Sequence, residues 1–419
     1  MSSHTNSSTS AAPLDLSKWR AVPNWLMIIG GIGAAIGWYL NPTQFAFSWL
    51  LAFMFFLSIG LGGLGFTMLH HLFDAGWSVP VRRIFEQLAC LLRWMGLLWL
   101  PIAFLAPNLY EWMRKLKAGH PDLATTAKLP LFTMPGFYIV SVICLAVWWW
   151  LPTQLRKWSL MQDETGSVEC TRKMRQYSAF GIFLFAVTLT FGAIMWVKAL
   201  EHEWFSTMYG VYYFAGSMWM TMATVYVITL ILQRQGPLQG LVHEKTYYFL
   251  GSILFAFTVF YAYVTFAQYF IIWNANMPEE TFWYVQREAG TWFWVSMIII
   301  FGHFFVPFLT LLRIDVKLKF SVMVPLIIWV WLMHFNDMSF NIMPVLHKTG
   351  YHLDWMDLAC MAFIGGFLAK VFLKELNSHP IVPQQDPRFA ESQDIYVAPD
   401  QFVEAATAEG INHKSGGGH

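Results

Sequence analysis

Residues 46–69 read AFSWLLAFMFFLSIGLGGLGFTML and contain no charged side chain. About 20 consecutive apolar residues are enough to cross the hydrocarbon core of a bilayer as an α-helix, which satisfies its own backbone hydrogen bonds. Other segments along the chain have the same character. The sequence therefore predicts ten transmembrane helices, over residues 24–40, 46–69, 84–106, 132–154, 178–199, 208–233, 246–273, 290–312, 320–337 and 353–375.

The composition of the whole chain agrees with this prediction. Hydrophobic residues make up 57% of the 419 residues, and charged residues make up only 12%. Soluble globular proteins carry about 25% charged residues, so this composition excludes a soluble multidomain enzyme. The predicted fold class is an all-α polytopic membrane protein. The net charge of +1 gives no indication of a nucleic-acid partner.

The cysteines restrict the redox chemistry that this chain can carry. Only four are present, and they lie far apart, at Cys90, Cys144, Cys170 and Cys360. No pair has the C-x-x-C spacing that covalent c-type haem or a self-contained iron–sulfur cluster requires. We therefore expect no covalently bound cofactor in this chain.

The chain is predicted to have three parts: an N-terminal tail over residues 1–23, a transmembrane domain over 24–375 and a C-terminal tail over 376–419. The stretch Ser2–Ser10 is too polar for the core of a secretory signal, so no cleaved targeting peptide is expected. Most of the 26 Lys and Arg residues fall in the two tails and in the loops on the same side. The positive-inside rule therefore predicts that both termini are cytoplasmic.

A weak internal repeat indicates two similar halves. The second and sixth spans both open with Phe-Ser, at Phe47-Ser48 and Phe205-Ser206. A repeat of four spans preserves the direction of the chain across the membrane, so the repeats are parallel. We predict two four-helix bundles, formed by spans 2–5 and 6–9, with spans 1 and 10 beside them.

The glycines Gly60, Gly62 and Gly65 fit the pattern G-x-G-x-x-G. A dinucleotide-binding loop needs a strand before this pattern and a helix start after it, whereas here the pattern lies in the middle of a span. We therefore predict that these glycines allow close packing of helices, and we predict no nucleotide site.

Polar residues cluster at the end of the second predicted span and the start of the third: His70, His71, Asp74, Arg82, Arg83 and Glu86. On a helix His70 and Asp74 are one turn apart, so this pair can relay a proton. The alternative is that the charged residues anchor the chain among lipid headgroups and that His70 merely faces them. No metal site is predicted, because no second pair of ligands with the usual spacing is present.

A few ionisable residues lie inside predicted spans, among them Arg93, His303, His334 and Asp337. A charge near the bilayer centre costs at least about 2.5–3.5 kcal/mol, so these residues are candidates for function. His334 and Asp337 share a helical face near the predicted outer end of span 9. An imidazole and a carboxylate together can accept the two protons that a quinol releases on oxidation. The alternative for each histidine is a hydrogen-bonded residue inside the bundle.

Charged and aromatic side chains follow the fifth predicted span, where Glu201 and His202 precede Trp204 and Phe205. Aromatic belts at membrane interfaces account for the two aromatic residues. Glu201, His202 and Glu203 mark either a proton exit or a docking face for a partner.

Several runs of sequence resemble a known family: EHEWFSTMYG at 201–210, FAQYFIIWNANMPEET at 266–281, HFFVPF at 303–308 and the turn from Gly76 to Arg83. They are similar to the NrfD/PsrC-like integral membrane subunits of bacterial alternative complex III, and most of all to its second ten-helix subunit, the ActF type. The resemblance extends over spans 2–10.

The resemblance implies a subunit of a quinol:electron-acceptor oxidoreductase, for example a quinol:cytochrome c oxidoreductase, in the bacterial inner membrane. Quinone or quinol is the implied ligand, while haem c and iron–sulfur clusters belong to partner subunits. The implied partners are a sister membrane subunit, periplasmic iron–sulfur and multihaem cytochrome c subunits, a terminal oxidase and lipids.

No catalytic residue is assigned. The candidates for quinone binding or a proton path are the ionisable residues described above: His70, His71, Asp74, Arg82, Arg83, Glu86, Arg93, Glu201, His202, His303, His334 and Asp337. The alternative function is a structural membrane anchor for peripheral redox subunits, with quinol oxidised in the sister subunit. A secondary transporter is disfavoured, because the predicted repeats are parallel and not inverted.

Overall fold

The computed structural model describes residues 17–392. The polar stretch Ser2–Ser10 and the glycines at 416–418 lie outside the described residues. Within the described part, nine helices are long and apolar enough to cross a membrane, or ten if one bent pair of helices is counted as a single broken span. The chain is thus an all-α polytopic membrane protein, as the sequence predicted.

The ten spans are numbered along the chain. They are Ser17–Leu40, Pro42–Phe73, the broken span 3 (Val79–Cys90, Leu92–Leu98 and Leu100–Leu109), Met134–Thr165, Val168–Trp196, Tyr209–Arg234, Glu244–Ala275, span 8 (Trp292–Ile298, Ile299–Phe305 and Val306–Leu311), Phe320–Ile342 and Trp355–Ser378. Short helices between and after them are Gly76–Ser78, Glu111–Lys117, Leu123–Thr126, Lys198–Glu201, Pro278–Glu288, Ile314–Leu318, Met343–Val345 and Phe389–Ser392. With ten crossings, both ends of the described chain lie on one side of the protein, which we name the terminal side.

The helices form the two predicted bundles. Span 2 packs against spans 3 and 5, and span 4 packs against the same two helices, which closes the first bundle. Span 6 packs against spans 7 and 9, and span 8 packs against the same two, which closes the second. Spans 1 and 10 pair with each other and lie against span 2.

Spans 2 and 6 form the centre of the protein. In their most apolar windows 94% and 83% of the residues are buried, against 44% or less in the other unbroken spans. Small residues allow the two backbones to approach closely, since a Cβ atom on Gly62 would lie 2.5 Å from the carbonyl oxygen of Ser217. The glycine run therefore packs helices, as predicted.

Most helices extend beyond the predicted apolar segments. Span 2 begins at Pro42 instead of residue 46, because the Asn41 side chain accepts a hydrogen bond from the Gln44 amide and proline fits the first turn. Span 1 begins at Ser17, inside the predicted N-terminal tail 1–23. The helical hydrogen bonds continue through the polar interface, so hydropathy alone underestimates the length of the helices.

Two spans are irregular, which the sequence analysis did not predict. Span 3 bends by 57° between Leu98 and Leu100, where Pro101 follows and supplies no backbone N–H. Span 8 contains a π-helical turn over Ile299–Phe305. Such turns add a residue to the helix and occur frequently at functional sites.

Candidate functional site

The polar residues on the terminal side form a buried arginine network around Glu86. The Glu86 carboxylate accepts hydrogen bonds from Arg82 Nε at 3.0 Å, from Arg156 Nη1 at 3.0 Å and from Ser159 Oγ at 2.8 Å. All four residues are at most 4% exposed. A buried carboxylate is stable only when it is paired and hydrogen-bonded in this way.

Two further carboxylates complete the arginine network. Arg83 pairs with Asp163 and also donates to the Ser159 carbonyl oxygen at 3.1 Å. Arg82 pairs with Asp386, a residue of the C-terminal segment. The proposed anchoring of Arg82, Arg83 and Glu86 among lipid headgroups is therefore wrong, because these side chains bind one another inside the protein.

His70 lies beside this network, with a polar neighbour at each ring nitrogen. The Ser78 hydroxyl lies 2.6 Å from His70 Nδ1 and 3.0 Å from the Ala75 carbonyl oxygen. The other nitrogen, Nε2, lies 4.0 Å from Asp386 Oδ2. His70 therefore presents its Nε2 atom next to a carboxylate.

A cavity of about 250 Å³ opens beside these histidines. Its walls include His70, His71, Asp74, Arg82, Asp386 and Arg388. His71 is 4% exposed, and its Nε2 atom has no hydrogen-bond partner among the described residues. The cavity thus combines two imidazoles with charged groups that are already paired.

The predicted pair of His70 and Asp74 does not form. Asp74 ends span 2 in the left-handed conformation, with φ of 50°, and its carboxylate pairs with Arg175 at 2.5 Å and Arg388 at 3.6 Å. The chain has already left the helix at Asp74, so the one-turn spacing assumed for a helix does not apply. Asp386 takes the place of Asp74 beside His70.

The segment 379–392 belongs to this site, although the sequence analysis assigned it to an extended tail that begins at residue 376. Asp386 and Arg388 of this segment line the cavity, and the backbone N–H of Gln384 donates to Asp163 Oδ1 at 3.1 Å. The sequence offered one signal for this, since Pro380, Pro383 and Pro387 favour an ordered extended strand over a helix. It could not show which helices the segment covers.

A second group, which we name the histidine–aspartate cluster, consists of His303, His334 and Asp337. They are at most 1% exposed, and one ligand atom of each lies within 4.8 Å of the others. His334 Nε2 lies 2.9 Å from Ser58 Oγ in the middle of span 2, about 22–24 Å of helix from either end. The cluster therefore lies deep in the protein and not near the outer end of span 9, because that span continues to Ile342.

His303 comes from the π-helical turn of span 8. Its ring is stacked between Trp219 at 4.0 Å and Tyr261 at 3.9 Å between ring centroids. Neither ring nitrogen has a hydrogen-bond partner among residues 17–392. The alternative of a hydrogen-bonded bundle histidine therefore fits His334 and does not fit His303.

Hydrogen bonds connect the cluster to the side opposite the termini. Tyr212 and Tyr261 both donate to Asp337 Oδ1, the second at 2.7 Å. Asn341 donates to the Tyr212 hydroxyl at 2.8 Å and accepts from Tyr209 at 3.0 Å. Sequence analysis missed the three tyrosines, although Tyr209 and Tyr212 share a helical face like His334 and Asp337.

This chain of hydrogen bonds reaches Glu201. Arg287 donates to the Asn341 carbonyl oxygen at 3.3 Å and pairs with Glu201 at 2.7 Å. Arg287 itself is 1% exposed and lies over the Trp283 ring, 3.6 Å from its centroid. Glu201 thus joins the loop after span 5 to the helix Pro278–Glu288.

His202 is also an internal residue. It is 3% exposed and donates from Nε2 to Asp122 Oδ2 at 2.6 Å, while its carbonyl oxygen accepts from Lys128. Burial raises the pKa of Asp122, but hydrogen bonds from His202 and Thr125 outweigh burial and hold that pKa well below its usual value. His202 therefore connects the loop after span 5 to the loop between spans 3 and 4, and it does not form a docking surface.

Arg93 joins neither group. It is half-buried in span 3, and its Nε atom has no hydrogen-bond partner among the described residues. The structure thus divides the predicted candidates between the arginine network with its cavity, the histidine–aspartate cluster and the loops around Glu201.

Lys198 follows span 5 and lies next to Lys128. Burial and the neighbouring Lys128 amine lower the pKa of Lys198 to about 7. A lowered lysine pKa means that the folded chain binds this proton less tightly than the unfolded chain. The charged form of Lys198 therefore destabilises the fold.

The variant Lys198→Gln is expected to be more stable than the wild type at pH 7 and below. Since the unfolded chain binds more protons between pH about 7 and the ordinary lysine value of 10.5, the wild type gains stability as the pH rises through this range. The advantage of the variant should therefore shrink towards pH 10. Melting temperatures measured across this range test the prediction, and the exposed Lys157→Gln is the control. A constant difference at every pH contradicts it.

No known family model and no curated protein matches this chain. The family resemblance read from the sequence remains a hypothesis. Two of the runs that carry it pack together, since Trp204 donates to the Glu280 carbonyl oxygen at 3.2 Å. Trp204 also stacks at 4.6 Å on Trp283, just after the second run.

Proposed function

We propose that this chain is a membrane subunit of a quinol-oxidising electron-transport complex and that the cavity beside His70 binds a quinone ring. The observation that carries this proposal is the cavity of about 250 Å³ with the His70 and His71 imidazoles on its wall. Ring-shaped ligands bind in concave sites that have a few well-placed polar groups. The resemblance to alternative complex III supports the same function.

The groups at the cavity suit the chemistry of a quinol. In the tautomer that leaves Nε2 unprotonated, His70 accepts a proton from a quinol hydroxyl, and Asp386 at 4.0 Å stabilises the imidazolium that forms. His71 offers a second imidazole for the second proton. The arginine network holds Asp386 in position through Arg82.

Electron transfer belongs to partner subunits under this proposal. The four cysteines of the chain are buried and unpaired, and they lie on separate spans. This chain binds the quinone ring and exchanges its protons, while iron–sulfur and haem centres of the partners accept the electrons.

A structural anchor is the competing function. It is favoured by the opposite side of the protein, where Met277 is exposed just before the helix Pro278–Glu288 and Glu279 is exposed in its first turn. An anchor acts through assembly, so it predicts that changes on this side reduce the yield of complex and that changes at His70 have no effect.

The variant His70→Ala is expected to lower quinol-dependent turnover of the assembled complex by about 10²–10⁴-fold, the usual contribution of a general base. The exposed His352, on the opposite side, provides the control His352→Gln. Complex yield and turnover are measured together. A photoreactive quinone should label the segments around residues 70–78 and 386–391 in the wild type.

Unchanged turnover in an intact His70→Ala complex, together with labelling elsewhere, contradicts the proposed quinone site. The structural anchor would then be the better description.

A further inference from the structure

The histidine–aspartate cluster contains buried atoms that nothing in the described chain satisfies. Both ring nitrogens of His303, Nδ1 of His334 and Oδ2 of Asp337 have no hydrogen-bond partner. Buried polar atoms of native proteins nearly always have one. Here the three residues also converge, with one ligand atom of each within 4.8 Å of the others.

Ser58 orients the His334 ring through one of its nitrogens. The Ser58 hydroxyl lies 2.9 Å from His334 Nε2 and 2.6 Å from the Phe55 carbonyl oxygen. Nδ1 of His334 is the nitrogen without a partner among the described residues. On the other side, the closest residue named at this nitrogen is Gly216, where a Cβ atom would lie 3.7 Å from Nδ1.

Asp337 has no basic side chain as a partner. Its Oδ1 atom accepts from Tyr212 and Tyr261, but none of the ion pairs of residues 17–392 includes it. The nearby Arg287 is paired with Glu201. A carboxylate this deep in a membrane protein is stable as the protonated acid or with a positive charge beside it. A neutral His334 supplies no such charge.

The rings around the cluster hold its members in fixed orientations. Trp219 and Tyr261 clamp the His303 ring from both faces, and the π-helical turn directs this residue towards span 9. Tyr261 also donates to Asp337, so the same side chain orients two members of the cluster. Outer groups of this kind orient the ligands in metal sites.

We propose that His303, His334 and Asp337 bind a divalent first-row transition metal ion, such as Zn²⁺ or Fe²⁺. Two imidazoles and one carboxylate form the ligand set of many zinc and non-haem iron sites, whereas Mg²⁺ and Ca²⁺ prefer oxygen ligands only. Metal–ligand distances of about 2.0–2.2 Å place the ligand atoms of one ion about 3–4 Å apart. In the structure the three ligand atoms already lie within 4.8 Å of one another.

The ion neutralises Asp337 and uses the lone pair of His334. The site lies in the second bundle and is independent of the quinone cavity, which lies in the first. The sequence contains no C-x-x-C or paired-histidine motif, so it gave no reason to expect a metal site here. The three ligands come from two spans, and one of them lies on a π-helical turn.

The test is the metal content of the full chain purified from membranes, together with any subunits that accompany it. We expect one Zn²⁺ or Fe²⁺ ion per chain in the wild type and loss of that ion in His303→Gln and Asp337→Asn. His347→Gln is the control, since this half-buried histidine pairs with Gln44 outside the cluster. Incubation of metal-depleted protein with Co²⁺ should produce the visible absorption bands of a site with nitrogen and oxygen ligands.

Ser58→Ala is a milder variant that leaves all three ligands in place. It removes the hydroxyl that orients the His334 ring through Nε2, so Co²⁺ affinity should fall by about 10–100-fold. A wild-type chain that contains no transition metal and takes up no Co²⁺ overturns the proposal. Equal metal content in the wild type and in folded Asp337→Asn also overturns it, and either result favours a proton or a water molecule as the partner of Asp337. Neither outcome bears on the quinone cavity.

Discussion

Replacing Glu86 with alanine is expected to destabilise the protein by about 3–5 kcal/mol, the usual cost of removing one partner from a buried ion pair. Glu86 is the central acceptor of the arginine network and is 2% exposed. Its loss leaves the Arg82, Arg83 and Arg156 guanidinium groups with only Asp163 and Asp386 to neutralise them. The free energy of unfolding in mixed detergent micelles measures the effect.

A matched control exists on span 5. Glu169 is 51% exposed and lies 3.9 Å from Arg172 and 3.8 Å from Lys173. Exposed pairs of this kind contribute about 0–1 kcal/mol, so Glu169→Ala should change the stability little. Equal effects of the two variants would show that the arginine network is not the stabilising element that its burial indicates.

The second large effect is expected for Gly62→Val. A Cβ atom at Gly62 would lie 2.2 Å from Thr221 Oγ1 and 2.5 Å from the Ser217 carbonyl oxygen. The carbonyl oxygen is part of the span 6 backbone, so it cannot move unless the helix moves. Overpacking of this kind costs about 1–3 kcal/mol and occasionally more. Because spans 2 and 6 join the two bundles, the variant should also lower the melting temperature of the whole protein.

Gly96 provides the comparison for Gly62. It lies in span 3, and a Cβ atom there has no heavy atom within 4 Å. Gly96→Ala should be neutral or stabilising by up to about 1 kcal/mol, because alanine favours the helix over glycine. Gly62→Ala should destabilise, although it has the same gain in helix propensity. If both alanine variants stabilise the protein, the close contact of spans 2 and 6 is not as tight as the geometry requires.

The fold could be predicted in outline because the transfer of each span into the membrane depends on the apolar composition of that segment alone. The apolar run 46–69 identifies a helix from local composition alone. The repeat of four spans also predicted the two bundles correctly. An even number of crossings per repeat returns the chain to the same side of the membrane, so both halves run in the same direction. The bend at Pro101 and the π-helical turn around His303 were missed, because packing against neighbouring helices selects among such local irregularities.

The candidate site could be predicted only in part. His334 and Asp337 were expected to lie together because residues three positions apart in a helix lie on the same face. The same rule failed for His70 and Asp74, since Asp74 lies beyond the last helical turn. Asp386 could not be anticipated as the neighbour of His70, because more than three hundred residues separate them and only the packing of the C-terminal segment brings them together.

The amino-acid sequence alone determined the number of apolar spans. It also showed that no two cysteines have the spacing that binds an iron–sulfur cluster. Both features depend only on residues that are close together along the chain. The partners of the buried charges were decided by the tertiary structure. Glu86 meets Arg156 from span 4, and His303 meets His334 from span 9. These contacts depend on the rotation of each helix about its axis and on its depth in the membrane. Packing contacts such as that of Gly62 with span 6 determine both, and they leave no signal in local hydropathy.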